Sequence, residues 1–187
     1  MATTCPRLEH ALSDFPGRQA LIDAIDAAVA HDGHEAIGHA LAQSLEALIR
    51  SRTLQLPPVV LEPVGDHYAR RLLYRSPTHG YVVIAMTWGP GQGTPIHDHD
   101  GLWCVEGIWR GTLEITQYAL LERDAARFRF LATTGMQAGA GSAGSLIPPH
   151  EYHTIRNASP ATVAVSLHVY EAPIQRCAQF DPIGDGW

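Results

Sequence analysis

The sequence predicts a mainly β protein, a double-sheet β-barrel of the jelly-roll type with a small helical cap at its N-terminus. Three observations lead to this prediction. Beyond residue 56 the chain consists of short segments rich in β-branched and aromatic residues, separated by Gly, Pro, Ser and Asn. These segments follow one another at spacings of about ten residues, which is typical of all-β barrels and sandwiches. Helical periodicity is confined to the chain before that point.

Two helices are predicted in the cap. Leu21, Ile25 and Ala28 recur at helical spacing downstream of Pro16, and the sequence HDGH at 31–34 breaks the pattern. A second apolar stripe follows, formed by Ile37, Leu41, Leu45 and Leu48. We expect one domain, with a helical cap over residues 1–55 and a β-barrel over residues 56–187.

The predicted strands carry the sequences YARRLLYR, YVVIAMTW, GTLEITQYAL, ARFRFLATT, GSLIP and ATVAVSLHVY. No long helical pattern alternates with them, which disfavours a parallel α/β sheet. The C-terminal CAQFDPIGDGW is expected to form a covering strand or loop.

Composition narrows the function classes. The 187-residue chain has a formal charge of -6 and contains no lysine, so we expect no nucleic-acid partner, which would need clustered basic residues. No apolar stretch approaches the roughly 18 residues of a membrane span, so we expect no membrane partner. Three cysteines and a first segment unlike a signal peptide favour a cytoplasmic protein.

Three histidines form a candidate metal site. His97 and His99 are one residue apart, so on a strand both imidazoles point to one face. A third ligand must come from another strand, and His153 in PPHEYHTIRN is the best candidate. An isolated HxH pair is equally well explained as two exposed or hydrogen-bonded histidines, and the correctly spaced third histidine is what favours a metal.

The surroundings of these histidines resemble the two motifs of the cupin superfamily, G-x5-H-x-H-x4-E-x6-G and P-x-G-x2-H-x3-N. The flanking residues found at the matching positions are Gly91, Gly111, Pro148 and Asn157. Cys104 stands where the motif has a glutamate ligand, and His150 stands where it has glycine. We do not expect His150 to be a ligand. The resemblance implies a double-sheet barrel with a metal bound inside.

Within that superfamily the chain resembles the cysteine dioxygenase family. The matches are the three histidines, Cys104, the S-x-H-x-Y segment ending in Tyr170, and Cys177. The resemblance implies Fe(II) held by His97, His99 and His153, and a monomeric enzyme. The implied reaction converts L-cysteine and O2 to cysteine sulfinate.

Ser166, His168 and Tyr170 alternate, so on a strand they face one way and can form a hydrogen-bond chain that holds the phenol near the metal. The alternative is a strand with polar residues turned to water. In animal members of the family, a thioether joins the residues that correspond to Cys104 and Tyr170. The same bond is therefore a hypothesis for this chain, against an inert buried thiol.

The substrate carboxylate needs a cation, and a guanidinium holds it best through two parallel hydrogen bonds. Arg70 and Arg71 are adjacent, so only one can face the site. The family segment Y-x-R-x-L matches Tyr68, Arg70 and Leu72, whereas an ungapped count back from His97 favours Arg71. We predict Arg70, assuming one extra residue in the RSPTHG turn, and include Tyr68 in the substrate site.

Three other functions remain open. A 3-mercaptopropionate dioxygenase would use the same iron site, but relatives of that kind carry glutamine in the arginine segment and lack the cysteine. A non-catalytic ligand-binding cupin would need neither the Ser–His–Tyr segment nor the arginine. A zinc or manganese cupin isomerase normally keeps the glutamate that Cys104 replaces. Trp88 and Trp103 are expected to be core or pocket wall.

Overall fold

The computed structural model describes residues 2–3, 10–11, 14–125 and 127–184. These residues contain two α-helices and twelve strands. The helices are α1 (Arg18–Val29) and α2 (His34–Arg50), followed by a short 3-10 helix (Pro58–Leu61). The first six strands are β1 (Ala2–Thr3), β2 (His10–Ala11), β3 (Ala69–Arg75), β4 (Val82–Trp88), β5 (Ile96–His97) and β6 (Cys104–Arg110). The others are β7 (Thr112–Asp124), β8 (Arg127–Gly139), β9 (Ala143–Leu146), β10 (His153–Arg156), β11 (Ala164–Tyr170) and β12 (Cys177–Phe180).

The strands form two six-stranded sheets, which confirms the predicted double-sheet architecture. One sheet has the order β1-β12-β5-β10-β7-β8 and the other β2-β3-β4-β11-β6-β9. Neighbours in each sheet are antiparallel apart from the β2–β3 pair. Two of the short strands, β1 and β2, precede the helices, so both sheets receive a strand from the segment predicted as helical cap.

The helices cover the outer face of the second sheet. Leu41, Leu45 and Ile49 of α2 are buried there and share one apolar cluster with sheet residues such as Val105 and Leu167. Fully burying a side chain of this kind contributes roughly 1.5–3 kcal/mol. The predicted stripe is therefore right in its spacing, but Ile49 occupies its last buried position, while Leu48 is half-buried.

A second apolar cluster fills the space between the sheets. Its members include Ile84 and Met86 of β4, Ile108 of β6, and Ile115 of β7. Because β4 and β11 contact the helices on one face and this interior on the other, all seven residues of each strand are buried. That double burial explains why both strands read as nearly continuous apolar runs in the sequence.

Two local features differ from the prediction, and a third agrees with it. CVEGIWR, which was not among the segments read as strands, forms β6 in the middle of the second sheet. The strand expected to carry both His97 and His99 ends at His97. The C-terminal segment does form a strand, β12, which pairs with β5 beside the histidines. No helix of the described residues is long and apolar enough to cross a membrane.

Candidate metal centre

The three histidines predicted as ligands come together inside the barrel. His97 ends β5, His153 begins β10, and the two are direct partners across this antiparallel pair. His99 lies in the loop that leads to β6. One nitrogen atom from each ring lies within 4.8 Å of the others. Strand pairing thus brings together residues that are far apart in the sequence.

The hydrogen bonds of these rings leave nitrogen lone pairs available. His97 Nδ1 donates to the backbone oxygen of Pro95 at 3.2 Å, and His153 Nδ1 donates to that of Glu151 at 2.7 Å. Since a carbonyl oxygen can only accept, each of these imidazoles has its lone pair on Nε2. His153 Nε2 and His99 Nδ1 are buried without a hydrogen-bond partner, a state that costs roughly 1–3 kcal/mol per group. A divalent metal would satisfy such nitrogens, so the residues fit a metal site.

Burial also keeps the three imidazoles unprotonated. It lowers the pKa of His97, and it lowers the pKa values of His99 and His153 well below the ordinary histidine value. The charge that the neighbouring His97 would carry adds to the effect on the other two. Because only a neutral imidazole binds a metal, the site is prepared for one.

The position of the usual cupin glutamate is occupied by a cysteine that faces a tyrosine. Cys104 on β6 is the direct cross-strand partner of Tyr170 on β11. Both are buried, and burial raises the pKa values of the thiol and of the phenol well above their usual ranges. The phenol ring meets the His99 ring edge to face, with centroids 5.3 Å apart. Among the described residues, the metal-ligand cluster contains the three histidines and no carboxylate.

A chain of buried polar groups runs behind the phenol. The Trp88 indole N–H donates to Ser166 Oγ at 2.9 Å, and this oxygen lies 2.8 Å from His168 Nε2. His168 Nδ1 lies 3.4 Å from the Tyr170 hydroxyl group. A hydroxyl group both donates and accepts, so either neutral tautomer of His168 completes the chain. Burial lowers the pKa of His168 to about 3, which keeps this ring neutral.

The two adjacent arginines point to opposite sides of β3. Arg70 is paired with Met86, an interior residue, and it lines the same cavity as the three histidines. Arg71 donates to Thr87 Oγ1 and to the backbone oxygen of Glu62, both at 2.8 Å, and does not line that cavity. The extra residue assumed in the RSPTHG turn lies instead within β3, where Leu72 and Tyr74 pair with consecutive residues of β4.

Tyr68 closes this side of the site. Its ring stacks on Trp88 with centroids 4.5 Å apart, and both residues line the cavity with Arg70. The remaining free space beside the histidines is small, about 20 Å³. His150 is exposed and lies outside the histidine cluster.

Two contributions were missed by the sequence reading. Trp88 was expected to be core or wall, but its N–H anchors the chain that ends at Tyr170. Glu106, two residues after Cys104 and on the same face of β6, is buried with its Oε2 atom 3.6 Å from His168 Nδ1. The available signal was an acidic residue inside the otherwise uncharged run CVEGIW.

A double-sheet barrel with three inward imidazoles defines a metal-binding protein of the cupin class. The model of the family "Cysteine dioxygenase type I" matches residues 65–182, and the chain belongs to this family.

Individual relatives cover a part of the chain. It is 28% identical over 109 residues to cysteine dioxygenase type 1 of Danio rerio, covering 53% of this chain and 49% of the relative. The Homo sapiens protein of the same name is 29% identical over 104 residues, covering 53% and 48%. The chain thus spans about half the length of these curated relatives.

Among solved structures, the chain is similar to a recombinant oxalate oxidase in complex with glycolate. The identity is 17% and the TM-score 0.47, with 62% of this chain and 56% of that chain covered. It is also similar to the Schizosaccharomyces pombe Cnp3 cupin domain, at 11% identity and a TM-score of 0.45, covering 63% and 73%.

Proposed function

We propose that this chain is an Fe(II)-dependent thiol dioxygenase that converts L-cysteine and O2 to cysteine sulfinate. The reaction is RSH + O2 → RSO2⁻ + H⁺: both oxygen atoms end on sulfur, sulfur loses four electrons, and O2 gains them. No other reductant is needed. His97, His99 and His153 are the proposed iron ligands.

The observation that carries this proposal is a ligand set of three neutral imidazoles without a carboxylate. A set of three protein ligands with open positions is typical of non-haem Fe(II) oxygenases, which usually include one carboxylate. Without that carboxylate the site keeps the full charge of a divalent ion, which favours an anionic ligand such as a thiolate. When bound, iron would supply a place where thiolate and O2 meet.

The other residues would hold the substrate. Arg70 binds the carboxylate group through two parallel N–H···O bonds, and the Tyr170 hydroxyl group orients the same end. Ser166 and His168 fix the phenol through the chain that Trp88 anchors. Tyr68 limits the space on the arginine side by its stacking on Trp88.

A 3-mercaptopropionate dioxygenase is the second candidate, because that thiol also carries a carboxylate group that Arg70 could bind. Cysteine is favoured by the pair of Arg70 and Cys104, which the resemblance associates with cysteine-specific members of the family. The decisive measurement is kcat/KM for the two thiols, from O2 uptake and sulfinate formation by the Fe(II)-loaded chain. A higher value for 3-mercaptopropionate overturns the cysteine assignment, and no uptake with either thiol favours a non-catalytic cupin.

Arg70→Lys tests the carboxylate clamp. Replacing a two-point charge-assisted contact by a single point charge costs roughly 1.5–3 kcal/mol, so KM for L-cysteine should rise about ten- to a hundredfold. Arg75→Lys is the matched control, since Arg75 lies at the exposed end of the same strand. Equal KM values for the two variants would remove Arg70 from the substrate site.

We also propose a thioether between Cys104 Sγ and a ring carbon of Tyr170. The two residues are direct cross-strand partners, and the Cys104 thiol and the Tyr170 hydroxyl group both approach the same atom, His168 Nδ1, at 4.0 Å and 3.4 Å. Forming the C–S bond removes one hydrogen from sulfur and one from the ring, with O2 as the two-electron oxidant. After turnover with cysteine and O2, intact mass should fall by two hydrogens, and Cys104→Ala should show no such loss. An unchanged wild-type mass excludes the bond.

A further inference from the structure

A second cavity lies on the far side of the polar chain. It has a volume of about 350 Å³ and lies between β6 and β9 of one sheet and β7 and β8 of the other. Its walls are largely apolar, with Ile108, Ala138 and Leu146 among them, while Met136 and Gln137 at its outer end are exposed. This cavity therefore opens to solvent, with room for several water molecules.

Glu106 connects this cavity to the polar chain. Its side chain lines the cavity and is 5% exposed. Its Oε2 atom is sealed from solvent, makes no hydrogen bond, and lies 3.6 Å from His168 Nδ1. The Tyr170 hydroxyl group lies 3.4 Å from the same nitrogen. His168 Nδ1 thus lies between the phenol of the site and a carboxyl group that lines the open cavity.

The proposed reaction needs such a connection. Each turnover releases one proton, because the substrate enters as a thiol and a sulfinate, the anion of a strong acid, is formed. The site beside the histidines has little free space for water. His168 cannot store the proton, since burial keeps this ring neutral.

We propose that Glu106 takes up the proton released in each turnover and passes it to the second cavity. This inference rests on the proposed function. The Tyr170 O–H gives its proton to His168 Nδ1, in the tautomer whose Nε2–H donates to Ser166 Oγ. In the same step Nδ1 hands this proton on to the Glu106 carboxylate, so that no charged imidazole accumulates, and the Tyr170 oxygen takes the thiol proton. Glu106 then releases its proton to water in the cavity, so that one thiol proton leaves and every group returns to its starting state.

The electrostatic surroundings of Glu106 suit this exchange. Burial raises the pKa of its carboxyl group to about 7, so the group can accept and release a proton near neutral pH. The titratable groups facing it are His168 across the strand pair, the Cys104 thiol along β6, and the Tyr170 phenol. Arg50 of α2 lines the cavity and is bonded to the Gly141 backbone oxygen. The residue opposite Glu106 on β9 is Gly144, which adds no polar group.

Glu106→Gln is the central test, because glutamine has the same shape but cannot carry a proton. In the wild type, kcat for L-cysteine should rise with pH through a transition near 7. In Glu106→Gln this transition should vanish, kcat should fall about tenfold on its alkaline side, and the solvent isotope effect should grow. Glu106→Asp should restore the transition. The matched control is Gln137→Ala at the exposed mouth of the cavity, which should keep the wild-type profile.

Infrared difference spectra of the anaerobic, iron-loaded full chain give a readout that does not depend on turnover. A carboxylic acid C=O band should disappear as the pH rises through 7 and be missing in Glu106→Gln. Absence of O2 uptake by the wild type overturns the proposed function. An active enzyme whose Glu106→Gln variant keeps the wild-type pH profile, or a wild type without the titrating band, overturns the relay.

Discussion

Burial sets the protonation state of the residues around the three imidazoles. It lowers the pKa values of His97, His99 and His153 and raises that of the Tyr170 phenol. The polar groups here are thus held in their neutral forms, and a bound cation would be the main local charge apart from Arg70. Such a site favours an anionic substrate, which is the electrostatic basis of the proposed thiol chemistry.

His153→Ala should abolish metal binding. This ring supplies a buried Nε2 without a protein partner, and its Nδ1 is fixed by the Glu151 backbone oxygen. We expect wild-type chain treated with Fe(II) to bind one metal ion and the variant to bind much less than one. The control is His150→Ala, three residues earlier in an exposed turn. Metal analysis after desalting measures the number of ions bound per chain. Full loading of His153→Ala would show that this ring is not a ligand.

Whether a site residue could be predicted depended on the kind of signal that the sequence carried for it. The three histidines carried fixed motif spacings, and the structure brings them together. The choice between Arg70 and Arg71 depended on the register of β3, which a bulge at Leu73 shifts by one residue. Neither a bulge nor the direction of the Trp88 N–H leaves a mark in a single sequence, because both are set by cross-strand neighbours.

At the level of elements, β6 shows how the helices and the site depend on each other. Cys104, Glu106 and Ile108 face the barrel interior, whereas Val105 faces the helices. Gly107 also faces α2, and a Cβ atom there would lie 3.0 Å from Ile49 Cδ1 and 3.5 Å from Leu45 Cβ. The bounds of β6 could not be predicted from the sequence, since its glycine and glutamate weaken the strand signal. The glycine and the glutamate are both explained by tertiary contacts of β6, which the sequence alone does not show.

Gly107→Val should therefore destabilise the fold. The branched side chain would push α2 away from the sheet, and overpacking of this kind typically costs about 1–3 kcal/mol. Gly144→Val is the matched control on the neighbouring strand, because a Cβ atom at Gly144 would have nothing within 4 Å. Urea unfolding at neutral pH measures the free energy of unfolding of each variant. Equal stability of the two variants would mean that α2 does not pack closely on β6.

At the level of the whole molecule, the helices, the two sheets and the interior cluster make up a fold that the sequence predicted in outline. Strand spacing and composition depend on local chemistry and could be read directly. The second cavity could not be predicted, since it is formed where strands of both sheets meet side by side. The same architecture buries the imidazoles of His99, His153 and His168 and partly buries that of His97, and this affects the stability of the entire chain.

The metal-free protein should lose stability steeply as the pH falls below 6.5. These four imidazoles have folded pKa values below the ordinary 6.5, so their contribution is present above 6.5 and is lost on acidification as the unfolded chain takes up protons. Glu106 acts in the opposite direction, because its pKa of about 7 exceeds the unfolded 4.5 and the folded state holds the proton between these values. Each imidazole that takes up a proton only on unfolding contributes about 1.4 kcal/mol per pH unit to the slope. Urea unfolding at a series of pH values measures this slope. Glu106→Gln should steepen it by about one proton, whereas a flat profile between pH 6.5 and 5 would mean that the imidazoles are not held as neutral groups.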